Sequence, residues 1–83
     1  MILMFGSDKF SGDLERAKKS YIEAISVDAV CAEALYNLGL VCKKLEQYPT
    51  ALNWFEKLHA ILRNNAEVIY QIADMYAILL LLL

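Results

Sequence analysis

The chain has 83 residues and a net charge of −2, so it can form one small domain at most. This charge excludes the clustered basic surface that binds nucleic acid, and we expect no nucleic-acid partner. Two cysteines, Cys31 and Cys42, lie eleven positions apart without a CxxC pair, which indicates neither a disulfide framework nor a metal site.

The chain divides into a short lead and one domain. Residues 1–10 are predicted to be irregular or a short helix, and they begin with an apolar run, Met1 to Phe5, that lacks the basic leader and cleavage site of a secretory signal. Residues 11–83 are predicted to form an all-α domain. Its helices are expected near 13–28, 31–46, 49–63 and 66–81. The first of them follows Asp13, which we expect to be its N-cap because a short carboxylate accepts hydrogen bonds from the first N–H groups of a helix.

The second predicted helix carries an apolar stripe with the i, i+3, i+4, i+7 spacing of one helical face. The stripe consists of Leu35, Leu38, Gly39, Cys42 and Leu45. Shortly after it comes Pro49, which lacks an N–H group and is tolerated in the first turn of a helix but not in its interior. A third helix therefore begins there, and the two helices are predicted to form an antiparallel hairpin.

The third predicted helix buries an apolar face and ends at two asparagines. This face consists of Leu52, Phe55, Leu58 and Leu62. We expect Asn64 and Asn65 to end the helix, because asparagine tolerates left-handed and capping geometry. The small residues Gly39 and Ala51 are expected to let the two helix axes approach closely.

The sequence repeats itself. The segment that starts at Ala32 begins again at Ala66, one period of 34 residues later. Six residues of the first copy then correspond to six of the second: Glu33 to Glu67, Leu35 to Ile69, Tyr36 to Tyr70, Asn37 to Gln71, Leu38 to Ile72 and Gly39 to Ala73. One period in the other direction, Ala17 and Tyr21 correspond to Ala51 and Phe55. The helical hairpin is therefore the repeated unit.

In this register residues 32–65 resemble a tetratricopeptide repeat, with Gly39, Ala51 and Phe55 at the small and aromatic positions of that family. The departures from the family pattern are Leu35 for Trp, Cys42 for Tyr, Leu58 for Ala and Arg63 for Pro. The resemblance implies antiparallel helical hairpins stacked as a short right-handed solenoid, with about one and a half repeats plus a final helix. It also implies a non-enzymatic scaffold that binds other proteins.

A finer resemblance covers about Ser11 to Tyr76. The run KLHAILRNNAEVIYQIADMY, Lys57 to Tyr76, is similar to the Polaris-type tetratricopeptide subunit of intraflagellar transport complex B. This resemblance implies a scaffold for cilium assembly and maintenance, with other transport subunits as partners. It also implies a location at the cilium and basal body, on the cytoplasmic side. We expect no cofactor.

The family resemblance further implies where a partner binds, because the first helix of each repeat forms most of the concave surface of a tetratricopeptide solenoid. The corresponding residues are Glu33, Tyr36, Asn37, Leu40, Lys43, Lys44, Glu67, Tyr70, Gln71 and Asp74. We expect Tyr36 and Tyr70 to stack and offer contact area at low entropic cost. The alternative is an ordinary solvated face. A clamp for peptide carboxylates is not favoured, because Leu40 stands where a second asparagine would be needed.

His59 is the single histidine, and its neighbours Glu56 and Arg63, about one turn away on the same helix, are interpreted as surface residues. We therefore expect no catalytic residue and no metal site. The apolar end, Ile78 to Leu83, belongs to a run far shorter than the roughly 20 residues of a membrane span. This end and Met1 to Phe5 could dock within the chain, pair with another copy, or be exposed edges of a truncated solenoid.

Two other functions therefore stay open beside the transport scaffold. The first is a generic tetratricopeptide adaptor that binds a peptide. The second is a small membrane-surface protein anchored by its leucine-rich end, although the shortness of the apolar run makes a membrane partner the less favoured alternative.

Overall fold

The computed structural model describes residues 11–83, and in this range four helices follow one another along the chain without a strand. They are α1 (Ser11–Val27), α2 (Ala32–Lys44), α3 (Tyr48–Ile61) and α4 (Ala66–Leu81). The predicted bounds differ from these by no more than two residues at any end. The predicted lead, residues 1–10, lies outside the described residues.

Asp13 is not the N-cap of α1, so that prediction is wrong. The helix is already formed at Ser11, and Asp13 lies in its first turn. Its carboxylate pairs with the guanidinium of Arg16, three residues further on and on the same exposed face. A carboxylate in the first turn still suits the positive end of the helix dipole.

A tight turn reverses the chain between α2 and α3. The N–H of Gln47 donates to the carbonyl oxygen of Cys42 at 2.8 Å. The N–H of Glu46 donates to the carbonyl oxygen of Lys43 at 3.0 Å, and these two bonds form a Schellman motif. Glu46 has a φ of 62°, the left-handed conformation that this motif requires. Pro49 follows in the first turn of α3, where its missing N–H breaks no helical hydrogen bond.

Asn65 begins a helix rather than ending one. Its Oδ1 atom accepts a hydrogen bond from the N–H of Val68 at 3.1 Å, which makes it the N-cap of α4. The preceding helix ends at Ile61, with Leu62 as its C-cap. The prediction that Asn64 and Asn65 end the third helix is therefore corrected.

The buried core is centred on α2 and α3. Its apolar members are Leu14, Ala34, Leu35, Leu38, Val41, Cys42, Ala51, Phe55, Leu58, Val68 and Met75. The stripe predicted on the second helix is buried except for Leu45, which is half-buried. On α3, Phe55 and Leu58 are buried, while Leu52 and Leu62 are half-buried at the edge of the core.

Each helix packs mainly on its neighbours along the chain: α1 on α2, α2 on α3 and α3 on α4. The chain therefore has an all-α fold of stacked antiparallel hairpins, a short solenoid. Of the helices in residues 11–83, none combines the length and the apolar character that crossing a bilayer requires.

Candidate functional site

Polar side chains of α2 and α4 form one hydrogen-bonded network on the surface that is predicted to bind a partner. The Tyr36 hydroxyl donates to Oε2 of Glu67 at 2.9 Å. The Lys43 ammonium donates to Oε1 of Gln71 at 3.0 Å and forms an ion pair with Oδ2 of Asp74 at 2.8 Å. The Gln71 amide donates to Oε2 of Glu67 at 3.3 Å. Five of the predicted site residues are thus joined into one unit.

The network leaves a negative charge exposed. Both side chains of the Lys43–Asp74 pair are about seven-tenths covered, so their charges largely neutralise each other. Glu67 is exposed and accepts hydrogen bonds from the two neutral donors, Tyr36 and Gln71. A ligand that approaches here therefore meets a carboxylate whose charge is not compensated by these two donors.

Tyr36 is anchored to the core by its ring and to the surface by its hydroxyl. Its ring lies 6.0 Å from the ring of Phe55, centroid to centroid, with the two planes inclined at 59°. Burial raises the pKa of the Tyr36 hydroxyl, and the hydrogen bond to Glu67 raises it further, while Gln71 acts in the opposite direction. The structure thus shows a ring contact between Tyr36 and Phe55. Tyr70, the predicted stacking partner of Tyr36, is 61% exposed.

Asn37 and Gln71 occupy equivalent positions of the repeat and are both buried, at 2% and 6% exposure. The sequence placed them on the binding surface, but the structure places them beneath it. Gln71 links α2 to α4 through its two hydrogen bonds. The Oδ1 atom of Asn37 is buried without a hydrogen-bond partner, an arrangement that costs about 1–3 kcal/mol.

The remaining predicted site residues differ in their accessibility. Glu33, Lys44 and Tyr70 are exposed, whereas Leu40 is half-buried and packs against the core. The accessible part of the predicted surface therefore consists of charged and aromatic side chains on α2 and α4.

A cleft of about 290 Å³ lies beside Tyr36, where the start of α2, the end of α3 and the start of α4 meet. Its apolar lining is Ala32, Leu58, Leu62 and Val68. Glu33 and Glu67 supply two carboxylates at the same cleft. Both glutamates and Tyr36 belong to the surface predicted from the sequence, whereas Leu58 and Leu62 are predicted as core, where Leu58 is indeed buried and Leu62 half-buried.

The residues that could carry chemistry are not brought together. His59 is half-buried on α3, and its Nδ1 atom has no hydrogen-bond partner. Cys42 is fully buried, and this burial raises the pKa of its thiol, as suits a core residue rather than a nucleophile. Within residues 11–83 there is no group of three or more side chains that could hold a metal ion. That the chain is not an enzyme stays a prediction.

Antiparallel helix pairs that each pack on their neighbours along the chain define a helical-repeat protein. Two family models, both described as "Tetratricopeptide repeat", match residues 32–65 and residues 9–31. Together these matches span more than half of the sequence. The chain belongs to the tetratricopeptide-repeat family.

The chain is similar to a short part of two much longer plant proteins. Both are described as "Probable UDP-N-acetylglucosamine--peptide N-acetylglucosaminyltransferase SPINDLY", one from Oryza sativa subsp. japonica and one from Hordeum vulgare. Each is 41% identical over 49 residues, which are 59% of this chain and 5% of the relative. The chain thus spans about 5% of the length of these curated relatives, and neither is an intraflagellar transport subunit. No solved structure matches the chain.

Proposed function

We propose that this chain is a protein-interaction module that binds an extended peptide segment along α2 and α4. Membership of the tetratricopeptide-repeat family supports the general role, because such repeats bind other proteins. The observation that carries the specific proposal is the cleft beside Tyr36, where an apolar lining meets the carboxylates of Glu33 and Glu67.

The chemistry of this cleft selects the class of peptide. The half-buried side chains of Ala32 and Leu62 offer contact to an aliphatic or aromatic side chain, above a floor formed by the buried Leu58 and Val68. The exposed carboxylate of Glu67 complements a lysine or arginine beside that side chain. Lys43 is neutralised by Asp74, so this surface does not favour an acidic tail or a terminal carboxylate.

The experiment is a binding screen with fluorescent synthetic peptides. An array would pair one apolar residue with Lys, Arg, Gln or Glu at the adjacent position, and fluorescence anisotropy would give the affinity of the strongest binder. We expect basic peptides to bind more tightly than their acidic counterparts. Glu67→Gln should weaken binding by about 3- to 10-fold, which corresponds to roughly 0.7–1.4 kcal/mol.

A matched control is available on α3. Glu56 also accepts a hydrogen bond from a tyrosine hydroxyl, that of Tyr76 at 3.0 Å, but it lies outside the proposed surface. Glu56→Gln should therefore leave peptide affinity unchanged. Equal losses in both variants, or equal affinity for acidic and basic peptides, would refute the proposed site.

A second candidate is a scaffold of the intraflagellar transport machinery, located at the cilium and basal body with other transport subunits as partners. The resemblance of Lys57 to Tyr76 to the Polaris-type subunit supports it, whereas the two curated relatives are of another kind. Affinity purification from ciliated cells tests it. Transport subunits should be recovered with the unmodified chain and lost with Glu67→Gln, and their absence from both samples would remove this candidate.

A further inference from the structure

One face of α4 exposes apolar side chains over its whole length. These side chains are Ile69, Ala73, Tyr76 and Leu80, and their spacing of three and four residues places them on one side of the helix. Ile69 is 47% exposed, Tyr76 50% and Leu80 69%. The acidic residues of α4 lie elsewhere, because Glu67 and Asp74 contact α2.

The equivalent face of α2 is covered. Ile69, Ala73 and Tyr76 lie one period after Leu35, Gly39 and Cys42. Those three residues of α2 are buried in the hairpin with α3. Within residues 11–83, no helix packs on α4 in the way that α3 packs on α2.

Within residues 11–83, helix α1 also lacks a packing partner on one side. It corresponds to α3 in the repeat, but in this range α3 packs on two helices and α1 only on α2. The residues Ala51, Phe55 and Leu58 of α3 are fully buried, whereas their equivalents in α1, Ala17, Tyr21 and Ala24, are half-buried. In the part of the chain that the structure describes, no helix therefore packs on the side of α1 that corresponds to the side on which α3 receives α2.

We propose that α4 of one copy of this chain packs against α1 of a second copy, forming between two molecules the kind of hairpin that α2 and α3 form within one. Each helix supplies the type of partner that the other lacks. Because this contact uses α1 and the outer face of α4, it is independent of the peptide site proposed above.

The residue sizes at such a joint are complementary. Inside the chain, Gly39 lies against the ring of Phe55, and at the joint Ala73 and Tyr21 stand in these two positions. The Trp54 indole lies beside the Cys42 thiol in the central hairpin. At the joint the larger Tyr76 replaces Cys42.

The partner helix has room for this larger residue. Ser20 lies one period before Trp54, so a small side chain stands opposite Tyr76. In the central hairpin the larger side chain of this pair is Trp54 on α3, whereas at the joint it is Tyr76 on α4. The summed volume of the two side chains is broadly the same.

A second copy fits this face better than a lipid surface does. Helix α4 carries no lysine or arginine, which amphipathic helices use to hold anionic headgroups. A contact between α4 and α1 joins two different surfaces, so every added copy leaves one α4 and one α1 free. Such an arrangement grows into open chains of copies unless its rotation closes a ring.

Sedimentation velocity of the 83-residue chain over a range of concentrations tests the proposal. We expect the average mass to rise beyond that of a dimer. Ala73→Glu on α4 and Ser20→Glu on α1 place a charge in the contact at exposed positions, so both variants should keep the helical circular dichroism of the unmodified chain. Each variant alone should be monomeric, with its association weakened at least about tenfold.

Mixing the two variants gives the sharpest result. The Ala73→Glu variant still has an intact α1, and the Ser20→Glu variant still has an intact α4. An equimolar mixture should therefore form a one-to-one dimer and nothing larger. Asn53→Glu, at an exposed position of α3, is the matched control and should assemble like the unmodified chain.

Several outcomes would overturn the proposal. A Ser20→Glu variant that still dimerises, with no gain on mixing, would show symmetric α4–α4 pairing instead. An unmodified chain that stays monomeric at all concentrations would also refute it. If this monomer co-sediments with phosphatidylserine vesicles, the apolar face of α4 binds lipid instead. Assembly that survives in both variants would place the contact elsewhere.

Discussion

Gly39 is the point of closest approach between the two helices of the central hairpin. A Cβ atom at this position would lie 2.6 Å from Cζ and 2.8 Å from Cδ1 of Phe55, whose ring is fully buried. We expect Gly39→Ala to lower the free energy of unfolding by up to about 2 kcal/mol. Overpacking typically costs about 1–3 kcal/mol, and the better helix propensity of alanine returns about 1. Urea unfolding followed by circular dichroism measures the change.

Gly12→Ala is the control for this prediction. The same chemical change there would bring a Cβ atom no closer than 3.9 Å to the Arg16 guanidinium. The free energy of unfolding should therefore stay the same or rise slightly. Similar losses in both variants would show that the contact with Phe55 is not the cause.

Three tyrosines make the stability of the fold sensitive to alkaline pH. The pKa is raised above the ordinary value of 10.0 for Tyr21 and Tyr36, chiefly by burial, and for Tyr76, chiefly by its hydrogen bond to Glu56. The unfolded chain then loses these protons at a lower pH than the folded chain does. Their contribution to stability is complete below about pH 10 and is lost as the pH rises through the folded-state pKa values.

Denaturant unfolding between pH 8 and pH 11 checks this prediction. Tyr36→Phe should be less stable at pH 8, by about 1 kcal/mol for the lost hydrogen bond, but should lose less stability between pH 9.5 and pH 11. The Gly12→Ala variant keeps every tyrosine and should follow the profile of the unmodified chain. A Tyr36→Phe profile parallel to that of the unmodified chain would contradict the assignment.

At the residue scale the sequence predicts which residues share a surface, while the contacts among them come from the structure. The family resemblance predicts Tyr36 and Lys43 on the binding surface, and the structure joins both to α4 by hydrogen bonds. That Asn37 lies beneath this surface and that Lys43 is neutralised by Asp74 depend on how α2 and α4 lie relative to each other. The repeat pattern of the sequence does not specify the relative position of these two helices.

At the scale of elements, the turn between α2 and α3 holds a glutamate where glycine is preferred. The left-handed conformation of Glu46 costs a residue with a Cβ atom about 1–2 kcal/mol. Glu46→Gly removes this cost but gives the unfolded chain more freedom, worth about 0.4–1 kcal/mol. We expect a net gain in the free energy of unfolding of about 0.5–1 kcal/mol, measured by urea unfolding.

Glu23→Gly is the matched control for the turn. Glu23 is exposed in the interior of α1, where glycine should lower stability by about 1 kcal/mol. Opposite signs for the two glutamate-to-glycine changes would support the assignment of strain to Glu46. Losses at both positions would argue that the turn is relaxed.

The order and approximate bounds of the helices could be predicted because Pro49 and the apolar spacing are local signals. The capping assignments could not. Asparagine suits both the end of one helix and the start of the next, so Asn65 alone does not show which helix it caps. Asp13 has the side chain of an N-cap, but α1 is already formed at Ser11, so this carboxylate lies in the first turn instead.

For the whole molecule, the stacking of helices predicts an uneven distribution of stability. Helices α2 and α3 each pack on two neighbours and supply most of the fully buried side chains. Among the described residues, helix α1 packs on α2 alone and contributes only Leu14 to the buried core. Because each unit of a solenoid is stabilised mainly by its neighbours, α1 and the last turns of α4 should open locally more often than the central hairpin.

Hydrogen exchange followed by mass spectrometry measures this directly. In dilute protein, peptides from α2 and α3 should exchange most slowly, and those from α1 and from Ile78 to Leu83 should exchange fastest. Gly39→Ala should accelerate exchange in the central hairpin most, because it weakens the contact with Phe55. Uniform exchange across all four helices would instead show one cooperative unit. When the concentration is raised, head-to-tail packing predicts that α1 and α4 gain protection together while α3 does not change, and Ala73→Glu should abolish both gains.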